Sequence, residues 1–90
     1  MKALVFYRPQ TEYETEVLGY VRDFSRAHPE ADIELVNLNT QMGTRQAEVY
    51  GVVEYPAILA IKEDDGSVIN MWQGRPLPLM DELAAHIVTI

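Results

Sequence analysis

Two hydrophobic patterns take turns along this chain: short apolar runs, and stretches in which apolar residues return every three or four positions. Ala3–Tyr7 is a continuous apolar run, the pattern of a strand covered on both faces. Arg8-Pro9-Gln10 breaks it. From Glu12 to Ala27 the apolar positions Tyr13, Val17, Tyr20, Val21 and Phe24 recur at helical spacing, and His28-Pro29 closes that helix. Ile33–Leu38, interrupted by Glu34 and Asn37, predicts a second strand. A shorter helix is expected over Thr44–Tyr50, with Gly51 as a left-handed stop. Ala57–Ile61 is a third strand and Val68–Gln73 a fourth, joined by Asp64-Asp65-Gly66-Ser67, whose Asp-Gly pair suits a hairpin turn. Pro78 is expected in the first turn of a last helix, with Leu79, Leu83 and Ile87 as its buried stripe.

The predicted order is β-α-β-α-β-β-α. A helix joins the first two strands, so they should run parallel with a right-handed crossover. The last two form an antiparallel hairpin. Ninety residues leave room for one core, so residues 1–90 are expected to form a single domain. No linker, repeat or low-complexity segment divides them.

Composition narrows the chemistry. The chain has no cysteine, which removes disulfides, thiol nucleophiles and Cys-type zinc sites, and leaves a 48% hydrophobic content to supply the core. A net charge of −7 with scattered basic residues disfavours nucleic acid and anionic membrane surfaces as partners. The N-terminal apolar run is too short for a signal peptide, and no stretch approaches the ~20 apolar residues of a membrane span. A soluble, cytoplasmic protein is the expectation.

Local motifs sharpen the fold. Tyr50-Gly51-Val52-Val53-Glu54-Tyr55-Pro56-Ala57-Ile58-Leu59 resembles the stretch of thioredoxins and glutaredoxins in which Tyr-Gly-Val leads to a cis-proline opening the third strand. Asn37-Leu38-Asn39 and Gly43-Thr44 are similar to the family's second strand and its exit. Asp65-Gly66 and Gly74 fall where the family has its hairpin turn and a glycine on the ligand side. The resemblance covers nearly the whole chain and implies an α/β thioredoxin-like fold with a mixed four-stranded central sheet. It also implies a cis Tyr55–Pro56 bond that frees the preceding backbone to pair with an extended peptide or with glutathione.

The departure from the family follows the first strand. Phe6-Tyr7-Arg8-Pro9-Gln10-Thr11-Glu12-Tyr13-Glu14 looks like the glutaredoxin run Phe-Gly-Arg-Pro-Gly-Cys-Pro-Tyr-Cys, with Thr11 and Glu14 in place of the two cysteines. Thiol–disulfide exchange needs a thiolate, and a threonine hydroxyl is a weak nucleophile without a base to activate it. The spacing Thr-x-x-Glu before an amphipathic run instead predicts a capping box, with Glu12, Glu14 and Glu16 placing negative charge at the helix start.

The function these residues point to is a redox-inactive thioredoxin-like module binding a protein or peptide. Candidate binding residues are Tyr7, Arg8, Thr11, Tyr13, Glu54, Tyr55, Pro56 and Gly74. Tyr13 and Tyr55 offer aromatic area with polar tips, and backbone pairing beside Pro56 would be a form of strand addition. The alternative is a glutathione- or thiol-binding protein, because some glutathione transferases hold the thiolate with a hydroxyl near this helix start. Local acidity and the lack of their second, helical domain weigh against it. A structural, self-associating domain or a designed scaffold forms a third class. Neither catalytic residues nor a metal or cofactor are expected. Asp64-Asp65 lacks the ligand count of a calcium site. Trp72 and Tyr20 are expected in the core, and Met42, Met71 and Met80 follow no stripe.

Overall fold

The computed structural model describes residues 1–88. Its elements are β1 (Lys2–Tyr7), α1 (Glu14–Ala27), β2 (Asp32–Asn37), α2 (Gln41–Tyr50), β3 (Ala57–Ile61), β4 (Val68–Gln73) and α3 (Met80–Ile87). One mixed sheet runs in the order β2-β1-β3-β4. Strand β1 lies parallel to β2, pairing Lys2 with Asp32 and Tyr7 with Asn37, while β3 is antiparallel to both β1 and β4. This is the mixed four-stranded thioredoxin-like arrangement that the element order predicts.

Apart from Lys2, central strands β1 and β3 are apolar throughout because helices cover both faces of the sheet. On one face Leu4, Phe6, Val36, Ala57, Leu59 and Ile61 pack with Ala47 of α2 and with Val52. On the other, Ala3, Val5, Ile58 and Ala60 pack with Val17 and Phe24 of α1 and with Leu83 and Ile87 of α3. The period-2 alternation of the strands thus divides the core into two layers. Trp72 and Tyr20 are half-buried against the second layer, and Met71 and Met80 support opposite layers. Met42 stands in solvent.

Several boundaries differ from expectation, each for a local reason. Helix α2 begins at Gln41 rather than Thr44, because Thr40 adopts an extended conformation and its hydroxyl accepts the Gly43 N–H at 2.9 Å. Gly51 ends it in the left-handed region (φ 72°), as predicted. Strand β2 is shifted one residue toward the N-terminus. Helix α3 starts at Met80, which leaves Leu79 extended at the cap and 69% exposed, so Leu79 is outside the buried stripe and Pro78 outside the first turn. The hairpin turn forms, but of the Asp-Gly pair Gly66 alone takes positive φ (73°), and the Asp65 carboxylate accepts from both the N–H and the hydroxyl of Ser67. Those two bonds, the hydroxyl's first, hold the Asp65 carboxyl below its ordinary range.

Candidate functional site

The candidate residues converge at the ends of β1 and β3, on the loops that lead into α1 and out of α2. Tyr7 closes β1, and its carbonyl accepts the Leu38 N–H at 2.9 Å. Arg8 then turns outward. Its guanidinium donates to Asn39 Oδ1 at 3.2 Å and stands 5.8 Å from the centre of the Tyr55 ring. Tyr55 in turn donates its hydroxyl to the Val52 carbonyl at 3.3 Å. Arg8, Asn39 and Tyr55 therefore form one cluster, drawn from three separate loops.

Thr11 and Glu14 do not form the expected capping box. Helix α1 starts at Glu14, its cap position is Tyr13, and no side chain bonds there. Thr11 lies upstream of the cap, where its hydroxyl donates to the Arg8 carbonyl at 2.6 Å. The Glu14 carboxylate does reach back, but to the N–H of Gln10 (3.3 Å), a residue held at φ 63°. A tight turn over Arg8–Tyr13 occupies the space that a longer helix would have taken. The hydroxyl cap in this chain is Thr40. Thr40→Ala should cost about 1 kcal/mol, and Thr11→Ala, which loses a surface turn contact, should cost less. Thermal melts compare the two directly, and the reverse order would contradict this assignment.

Acid at the head of α1 is partly neutralised. Arg75 pairs with Glu12 at 3.2 Å and with Glu16 at 3.8 Å, and stands 6.0 Å from the Tyr13 ring centre. Tyr13 thus belongs to a second cluster with Arg75, beside the Arg8–Tyr55 group. These ion pairs are exposed and contribute little stability, and they hold the Arg75 guanidinium near the Tyr13 ring.

The loop before β3 is fastened from β4. Gln73 Oε1 accepts the N–H groups of Val53 (2.8 Å) and Glu54 (3.0 Å). Pro56 is buried, and its carbonyl accepts the Gly74 N–H at 2.8 Å. The Tyr55–Pro56 and Arg75–Pro76 peptide bonds are cis. Glu54 lies over Gly74: a β-carbon added there would stand 2.8 Å from Glu54 Oε2, at a backbone φ of 79°. Between these anchors, neither main-chain group of Tyr55 hydrogen-bonds to any of the described residues.

Thr11 has committed its proton to a carbonyl and so is not free to hold a thiolate. Histidines lie elsewhere, His28 capping the end of α1 and His86 in α3. Among the described residues no group of three acidic or histidine side chains converges as a metal site, and no helix is long and apolar enough to cross a membrane. Sequence reading missed Arg75, Gln73 and Asn39, each a polar residue whose partner is distant along the chain.

No family model and no curated protein matches the sequence. Solved structures do match the fold. Thioredoxin 1 of Thermosipho africanus aligns at a TM-score of 0.69 and 14% identity, over 96% of this chain and 89% of that one. Thioredoxin O2 of Arabidopsis thaliana, in its oxidized state, aligns at 0.72 and 12% identity, over 93% and 69%. A designed protein aligns at 0.72 and 21% identity, over 94% and 70%. At these identities the likeness is one of fold.

Proposed function

We propose that this thioredoxin-like chain, which carries no cysteine, is a binding module that holds an extended protein or peptide segment at the Tyr7, Arg8, Tyr13 and Tyr55 face, beside the buried Pro56. The observation that carries the reading is the Tyr55 main chain. Its N–H and carbonyl are unpaired among the described residues, while Gln73 and the Pro56–Gly74 bond hold the loop on either side. A free donor and acceptor on a loop anchored at both sides is what main-chain pairing with an extended segment uses. The rings of Tyr55 and Tyr13, each beside an arginine, offer flanking contacts of the kind that concentrates binding energy. Thr11, Glu54 and Gly74 border the face, and the acidic Glu54 favours a segment with a basic or neutral residue at that point. With no thiol in the chain, the function is binding without redox exchange.

Affinity capture with the wild-type chain and with a Tyr13→Ala/Tyr55→Ala variant tests the proposal. Captured partners should be lost from the double variant, a drop of about tenfold or more in affinity for one hot-spot ring. Equal capture by both proteins would refute the assigned face. Reduced glutathione at millimolar concentration should leave the amides of Thr11, Glu54 and Tyr55 unshifted. A shift there would favour the thiol-ligand alternative.

A further inference from the structure

The sheet has two open edges, and they are built differently. Strand β2 carries Asp32 and Glu34, the latter paired with Lys2 Nζ at 2.9 Å, so this edge presents charged side chains to an approaching strand. Strand β4 reads Val68-Ile69-Asn70-Met71-Trp72-Gln73, with no ionisable side chain. Since the Gly74 N–H bonds the Pro56 carbonyl, Trp72 and Asn70 direct their main-chain groups to β3, and Met71 and Gln73 direct theirs outward. An uncharged edge with outward donors is a template for another strand.

That template is covered at one point. Asn70 folds its own carboxamide over the edge, and Asn70 Oδ1 accepts the outward Met71 N–H at 2.8 Å. The carboxamide is tethered from α3. Asn70 Nδ2 stands 3.4 Å from His86 Nε2, while His86 Nδ1 lies 2.9 Å from the Glu82 carbonyl. That second contact makes Nδ1 the protonated nitrogen and leaves Nε2 to accept from Asn70. The Trp72 ring packs edge-on against His86 at 5.3 Å and fixes the imidazole from the sheet side. Next to Asn70 the pairing with β3 slips, leaving Ile69 as an extra residue that bends the strand.

We propose that the outer edge of β4 is a self-pairing surface held shut by Asn70, and that removing the carboxamide lets two copies of this chain join β4 to β4 antiparallel in one continuous sheet. A second copy is the occupant that the charges favour. Two molecules of net charge −7 meet there along strands that carry no carboxylate, whereas the β2 edge would bring Asp32 and the Lys2-paired Glu34 of each copy together. Two-fold pairing also uses the released Met71 donor twice, once in each copy.

Sedimentation velocity over a concentration series, with amide hydrogen exchange, tests this on wild type and Asn70→Ala. The wild type should remain monomeric where Asn70→Ala self-associates, tightening association by about tenfold or more. The Met71 and Gln73 amides of the variant should gain protection as it associates. Should Asn70→Ala fail to fold, His86→Ala, which unties the carboxamide, is read in the same way. A monomeric variant, association without protection at Met71 and Gln73, or a wild type already paired through β4 would each overturn the proposal.

Discussion

Gly43→Ala should destabilise this chain by about 3 kcal/mol, the upper end of the usual cost of overpacking. For a chain of this length that is a fall of roughly 12–24 °C in melting temperature. Helix propensity alone predicts the opposite sign, since alanine is better than glycine in a helix interior by about 1 kcal/mol. Packing decides the matter. A β-carbon at Gly43 would stand 1.9 Å from the Asn37 carbonyl oxygen and 2.8 Å from its carbon, both main-chain atoms of β2 that cannot swing away. The same methyl would press on Thr40 Oγ1 at 3.0 Å, the atom that caps α2. Gly19 is the control. Its nearest neighbour is the mobile end of Arg22 at 3.8 Å, so Gly19→Ala should stabilise α1. Melts by circular dichroism that show the two substitutions shifting stability alike would contradict the close approach of α2 to β2.

Phe24→Ala should cost about 3–5 kcal/mol, the range for deleting a buried aromatic ring. Phe24 is fully buried between α1 and the sheet, stacked on Tyr20 with ring centres 6.4 Å apart and tilted against His28 at 4.9 Å. For a chain of ninety residues, whose total stability is expected at roughly 5–13 kcal/mol, that is a large share. Denaturant midpoints measure it, and a loss under about 1 kcal/mol would mean that the layer under α1 is not the core. Tyr20 adds a signature of the same layer. Its hydroxyl is buried without a partner among the described residues, and burial, with the Glu82 carboxylate as a smaller cause, pushes its pKa up to about 12. The neutral phenol is favoured in the folded state, so its contribution to stability is complete below pH 10 and is lost as pH rises from there to about 12.

Much of this architecture is legible from residue patterns. The apolar runs Ala3–Tyr7 and Ala57–Ile61 mark the two central strands because only a strand covered on both faces can afford to be apolar throughout. Gly51 and Gly66 mark their turns because both adopt positive φ. The start of α1 was not legible in the same way. Thr-x-x-Glu describes a local cap, but the Arg8–Tyr13 turn, with Gln10 at φ 63°, takes Thr11 out of the helix and gives its hydroxyl to Arg8. Helix α2 begins earlier than its apolar repeat because Thr40, outside that repeat, caps it.

The candidate site divides similarly. Tyr55, Pro56 and Gly74 could be found because their motif is contiguous or ends a strand. Arg8–Asn39, Gln73–Val53 and Arg75–Glu12 span 31, 20 and 63 residues, and nothing local announces them. These long-range contacts also set the character of the site, because they decide which groups are occupied. Glu12 and Glu16 are paired and the Val53 and Glu54 amides are bound, while the local turn takes the Thr11 proton. The Tyr55 main chain is what they leave open.

The central claim is that this chain binds through that open main chain, with no thiol chemistry. Amide hydrogen exchange at Tyr55, measured with and without a captured partner segment, tests it most directly. The amide should exchange rapidly in the free chain and become protected on binding, and shifts should spread to Arg8 and Tyr13. Unchanged exchange at Tyr55, with protection appearing instead along the groove lined by Gly19, Tyr20, Leu77 and Met80, would contradict it.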